Sequence, residues 1–97
     1  MTMFVRIVEV TWLGEHRLLL EFSDGLIREL KIHRGLGGVM GALDDEHLFS
    51  QVSVDLNIGT IVWPGNLDLD PDILYGASES DNCSFYTLIS ESPMQTL

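Results

Sequence analysis

Asp68-x-Asp70-x-Asp72 puts three carboxylates at alternate positions, the spacing with which a calcium loop presents its first oxygens. Glu79 even falls at the twelfth position counted from Asp68. The remaining demands of that chemistry are not met. The sixth position needs glycine for a sharp bend and holds Ile73, Pro71 stiffens the interior, and a strand-like run precedes the loop in place of a helix. The same residues suit a helix start: Asp70 as the cap, Pro71 at the first helical position and Asp72 in the first turn. No metal is expected here.

Other chemistry-bearing residues lack partners at useful spacing. The glycine run Gly35-Leu36-Gly37-Gly38-Val39-Met40-Gly41 follows a strand-like stretch, but a dinucleotide fingerprint would need glycine where Met40 stands, and no Gly-Lys-Ser/Thr occurs. A hinge, tight packing or a subunit contact is expected of it. His16, His33 and His47 are scattered without a helical pair, and each is expected to be hydrogen-bonded or exposed. Cys83 has no basic neighbour to lower its pKa, and no serine sits in a Gly-x-Ser-x-Gly turn. Carboxylates are plentiful, but nothing in their spacing identifies a buried acid–base pair. Neither catalytic residues nor a cofactor is expected.

Charge narrows the partners. Against 5 Lys and Arg stand 15 Asp and Glu, a formal net charge of −10. All the basic residues (Arg6, Arg17, Arg28, Lys31, Arg34) lie before Gly35, balanced there by Glu9, Glu15, Glu21, Asp24 and Glu29. Beyond Gly35 the chain is acidic throughout, so no direct nucleic-acid binding is expected. Such a field would attract a basic protein, although acidity also simply maintains solubility. The single cysteine excludes an internal disulfide and favours a reducing cytoplasm. The first ten residues lack the apolar run of a signal peptide, and no stretch of about 18 apolar residues suggests a membrane span.

The 97 residues suffice for one modest core. Met3–Trp12 reads as a strand, Leu13-Gly14-Glu15 as a turn, and Arg17–Phe22 as a second strand with Leu18, Leu20 and Phe22 on one face. Ser23-Asp24-Gly25 predicts a hairpin with a type I′ turn. Leu26–Ile32 follows, with Leu26, Arg28, Leu30 and Ile32 opposite Ile27, Glu29 and Lys31. These three strands predict an antiparallel meander. After the glycine run, Asp44 or Asp45 should cap a short helix through Glu46–Phe49, with Leu43, Leu48, Phe49 and Val52 facing the core. Val52–Asp55 and Thr60–Trp63 form a hairpin turned at Asn57–Gly59 and ended by Pro64. A helical turn from Asp70 would then dock Ile73 and Leu74 on the sheet. The expectation is an α+β fold with a single domain over residues 1–75 and a Ser-rich acidic tail over 76–97, in which Ser84–Ile89 is a candidate strand. Trp63 and Tyr75 suit either a place over the sheet or an interface anchor, and the first is preferred.

Trp63-Pro64, Asp68-x-Asp70-Pro71 and Leu74-Tyr75, with Phe22-x-Asp24-Gly25 and Leu48-Phe49 upstream, resemble a bacterial family known as Domain of Unknown Function 2442. The likeness extends over roughly Val8 to Tyr75, with Gly65-Asn66 reversing the family's usual Asn-Gly. The resemblance implies a small α+β domain with no assigned reaction. Some members carry a helix-turn-helix domain and others neighbour toxin-like proteins, which implies a regulatory or antitoxin-like role. The uncharged-to-acidic stretch after Tyr75 is not expected to hold a helix-turn-helix domain.

The functional expectation is a non-enzymatic protein-binding or regulatory module. Trp63, Pro64, Asp68, Asp70, Pro71, Asp72, Leu74 and Tyr75 form its candidate interaction surface. Its partner would be a small basic protein or a second copy of the chain, the latter covering an open sheet edge. The alternative is an accessory subunit whose site is completed by another chain or by oligomerisation. A weaker idea is that the acidic half imitates DNA.

Overall fold

The computed structural model describes residues 5–35, 37–76 and 86–93. Its larger sheet comprises β1 (Ile7–Gly14), β2 (Arg17–Phe22), β3 (Leu26–Ile32) and β7 (Tyr86–Pro93), in the order β1-β2-β3-β7 and antiparallel throughout. The second sheet holds β4 (Ser53–Asp55), β5 (Thr60–Trp63) and β6 (Leu67–Asp68), in chain order. A 3₁₀ segment (Gly38–Asp44), α1 (Glu46–Phe49) and α2 (Pro71–Tyr75) complete an α+β fold that is mostly β.

Alternation decides the faces. Leu18, Leu20 and Phe22 of β2 are buried with Leu30 and Ile32 of β3, as their period of two requires. Ile61 and Trp63 approach from the second sheet, Leu43 and Phe49 from the helical segment, and Leu74 from α2. Leu48, Val52 and Tyr75 pack around that core while partly exposed. Each fully buried Leu or Phe supplies about 1.5–3 kcal/mol, so this one cluster is the main source of stability.

Four local features differ from the expectations above. The first hairpin turns one residue later, at Glu15-His16, whose φ of 54° and 62° give the paired left-handed conformation of a type I′ turn. The second hairpin is not type I′. Three residues, Ser23–Gly25, close it, and of these only Gly25 is left-handed (φ 95°), because a three-residue loop needs one such residue at its end. The third strand of the small sheet was not expected. Leu67-Asp68 folds back so that Trp63 faces Leu67 and Val62 faces Asp68. Gly65 (φ 93°) and Asn66 (φ 64°) are both left-handed in that turn, a conformation both residue types tolerate, so the reversed Gly-Asn order fits. Finally, the expected three-stranded meander gains β7 as a fourth strand. Tyr86–Ile89 lies in this strand, whereas Ser84 and Phe85 are outside the described residues.

Both outer strands of the large sheet are irregular. β1 slips register between Ile7 and Glu9 and β7 between Glu29's and Leu30's partners, which leaves Val8 and Ile89 as extra residues, each exposed. Bulges of this kind bend an edge away from flat pairing with another sheet.

Candidate functional site

The expected helix start is present in detail. Asp70 is in an extended conformation, its Oδ1 accepts from the Asp72 N–H at 2.9 Å, and Pro71 occupies the first turn. Asp72 adds a second acid at the same end, which the helix dipole favours. Pro64, Asp68, Asp70 and Asp72 are exposed. The three aspartates do not converge, and among the described residues no group of three or more His, Cys, Asp or Glu side chains could hold a metal ion. Glu79 and Cys83 lie outside the described residues.

The other motif residues point inward. Trp63 is 3% exposed, so it is core, and its Nε1–H donates to the Phe49 carbonyl at 2.9 Å. Leu74 is fully buried. Tyr75 sets its ring edge-on to Phe22 at 5.1 Å and donates its hydroxyl to Asp24 Oδ2 at 2.5 Å. This bond joins α2 to the β2–β3 turn, lowers the Asp24 pKa and raises that of Tyr75. Trp63 and Leu74 therefore serve as packing, and the surface of the motif consists of its proline and aspartates.

Arg28 explains why the Leu-Tyr ending is followed by glycine. Alternation places it on the core face of β3, where a lone cation needs partners. Its Nη1 donates to the Leu74 carbonyl at 2.6 Å at the negative end of α2. Its Nε lies 3.1 Å from Glu91 Oε1 of β7, and Tyr86 lies beneath it at 5.9 Å. A Cβ on Gly76 would come within 2.7 Å of Nη1, and Gly76 also needs φ 84° to end the helix. One buried guanidinium thus ties β3, α2 and β7 together.

A second polar cluster forms around Glu46, at the start of α1. Its Oε2 accepts from Trp12 Nε1–H at 2.7 Å and from the His16 backbone N–H at 3.0 Å. Its Oε1 meets His16 Nδ1 at 2.5 Å and Arg34 Nη2 at 2.8 Å. Burial alone would raise the Glu46 pKa, but the bonds from His16 and Trp12, helped by the charge of His16, outweigh it and hold the pKa at about 2. His16 is fully buried, stacks parallel on Phe49 at 4.2 Å and places Nε2 2.6 Å from the Leu43 carbonyl. The arrangement looks like an acid–histidine pair, yet every lone-pair direction of the carboxylate is used and neither ring nitrogen is open to a substrate. Its chemistry is cohesion: it joins the first hairpin, Arg34 in the segment after β3 and the helical segment.

Sequence reading did not find this cluster, since Trp12, His16, Arg34 and Glu46 are too far apart in the chain to form a motif. The available signals were indirect: an acid at a helix start and a histidine in a turn. For Arg28 the signal was stronger, a charge on an otherwise apolar face.

No curated protein matches the chain, and neither does any solved structure. The model of a family described as protein of unknown function (DUF2442) matches residues 7–80, which take in β1 to β6, both helices and the whole Trp63–Tyr75 motif but not β7. The chain belongs to this family.

Proposed function

We propose that the protein is a non-enzymatic binding or regulatory module whose exposed aspartates engage a small basic protein, an antitoxin-like arrangement in the cytoplasm. The observation that supports this is the division of labour in the Trp63–Tyr75 motif. Trp63, Leu74 and Tyr75 bind the segment to the core, while Asp68, Asp70 and Asp72 remain exposed on the rigid base so formed. A preorganised acidic rim attracts a basic surface and loses less entropy on binding than a mobile acidic tail would. The polar groups with displaced pKa values, Asp24, Tyr75 and Glu46, are already committed to internal bonds. No helix among the described residues is long and apolar enough to cross a membrane.

Association of two copies through sheet edges is the second reading. The bulges at Val8 and Ile89 count against flat edge pairing, so a basic partner is favoured.

The test is capture from the host lysate at low salt, followed by native mass spectrometry. A stoichiometric basic protein, released by salt and lost with the triple Asp68→Asn, Asp70→Asn, Asp72→Asn variant, is expected. Asparagine caps a helix about as well as aspartate, so this variant removes charge while retaining the fold. A bare homo-oligomer, or a partner held equally by the variant, would overturn the proposal.

A further inference from the structure

We infer that His16 is a buried imidazolium whose proton locks the helical segment onto the first hairpin, making the Leu43–His47 stretch a proton-dependent latch. The hydrogen-bond partners of the ring decide its charge. Nδ1 faces the Glu46 carboxylate at 2.5 Å and Nε2 faces the Leu43 carbonyl at 2.6 Å. Both partners are oxygens that only accept, so both ring nitrogens must donate, and an imidazole with two N–H groups carries a positive charge. A neutral ring would turn a lone pair toward an oxygen at one of these positions, and that contact would have to open.

The surroundings favour the charged ring. It is stacked on the face of Phe49, and the carboxylate opposite neutralises it. Arg34, the other cation on the same carboxylate oxygen, is half exposed, and it keeps Glu46 compensated when the ring loses its proton. The remaining nearby acids are engaged elsewhere: Asp44 accepts from the Gly35 N–H and Asp45 from the His47 N–H. Glu15 and Arg17, which flank His16, and the exposed His47 complete the ionisable groups next to the contact in sequence, and Arg17 is paired with Glu29. Opening therefore falls on the ring contacts themselves.

What the latch holds is also defined. The segment it joins begins in the glycine-rich stretch, which is poor at holding regular structure unaided. Phe49 stays anchored independently, through its buried ring and the bond from Trp63 to its carbonyl. Deprotonation of His16 thus opens one of the two ring contacts and loosens Leu43–His47 without unfolding the sheets, because Trp12, Arg34 and the His16 backbone N–H still hold Glu46. This device is independent of the aspartate rim.

The decisive experiment is nitrogen-15 NMR of the histidine rings in the intact chain, with His33→Gln and His47→Gln variants to assign His16. Two slowly exchanging ring N–H protons on His16 at neutral pH are expected. One protonated and one bare nitrogen would overturn the inference. Amide exchange is the second arm, corrected for its intrinsic pH dependence. Raising the pH until the ring loses its proton should speed Leu43–His47 exchange by about tenfold or more relative to β2, the scale set by one hydrogen bond to a charged group. In His16→Gln that pH dependence should vanish. Equal pH dependence in both proteins would also overturn the inference.

Discussion

Two acidic regions of this molecule behave in opposite ways. Glu46 is one carboxylate surrounded by four donors, and those bonds convert its charge into cohesion between three parts of the chain. Asp68, Asp70 and Asp72 are three carboxylates spread along an exposed rim, and of the three Asp70 accepts an internal hydrogen bond, as a helix cap. The difference is one of solvation. A partly buried carboxylate must be compensated by the protein, whereas an exposed one is compensated by water and stays available to a partner. Acidic residues in this chain are thus functional candidates where they are exposed and structural elements where they are enclosed.

The largest expected effect is at Glu46. Glu46→Ala would leave the His16 ring, its backbone N–H and the Trp12 indole without their acceptor, and a loss of about 3 kcal/mol is expected in urea unfolding. Acid should act in the same direction. Because the folded-state pKa is depressed, the contribution is complete above the ordinary value of 4.5 and disappears as pH falls toward about 2. Glu46→Gln should show less acid-dependent destabilisation over that window. If the alanine variant unfolds at the wild-type midpoint, the contrast between enclosed and exposed acids is lost.

An intermediate effect is expected at Tyr75. Tyr75→Phe keeps the ring against Phe22 and removes the bond to Asp24, at a cost of about 1 kcal/mol. The depressed Asp24 pKa makes that carboxylate's contribution present above its ordinary value and lost as pH falls below it, and the variant should weaken this acid dependence. The raised Tyr75 pKa gives the opposite sign at high pH: its contribution is complete below 10.0 and is lost as the phenol ionises above that value. Thermal unfolding of wild type and variant across pH would measure both limbs.

The smallest stability effect belongs to the rim. Asp72→Asn should change the unfolding midpoint by no more than about 0.5 kcal/mol, because the residue is exposed and lies outside the core. A larger loss would mean that the rim is structural after all and would remove the contrast with Glu46.

The legible parts of the fold were those governed by neighbours in sequence. Alternation in Arg17–Phe22 and Leu26–Ile32 assigned the buried faces correctly, including the unusual placement of Arg28 toward the core. The cap at Asp70 and the stop at Pro64 followed from the conformational limits of those residues. Turn type was less accessible, because Asp24-Gly25 closes a three-residue loop as readily as a two-residue one and the flanking pairing decides between them. The strand at Leu67-Asp68 was hidden because two residues carry no usable periodicity; their pairing with β5 defines them.

The sequence by itself determined the α+β class, the meander, the acidic second half and the family to which the chain belongs. These depend on side-chain period, composition and short motifs, all of which act over a few residues. Tertiary structure alone decided which charges are enclosed. Glu46 lies 30 residues from His16 and 34 from Trp12, and Arg28 lies 46 from Leu74. At such separations no local preference acts, so only the packed chain reveals that Glu46 and Arg28 hold the fold together while Asp68, Asp70 and Asp72 face solvent.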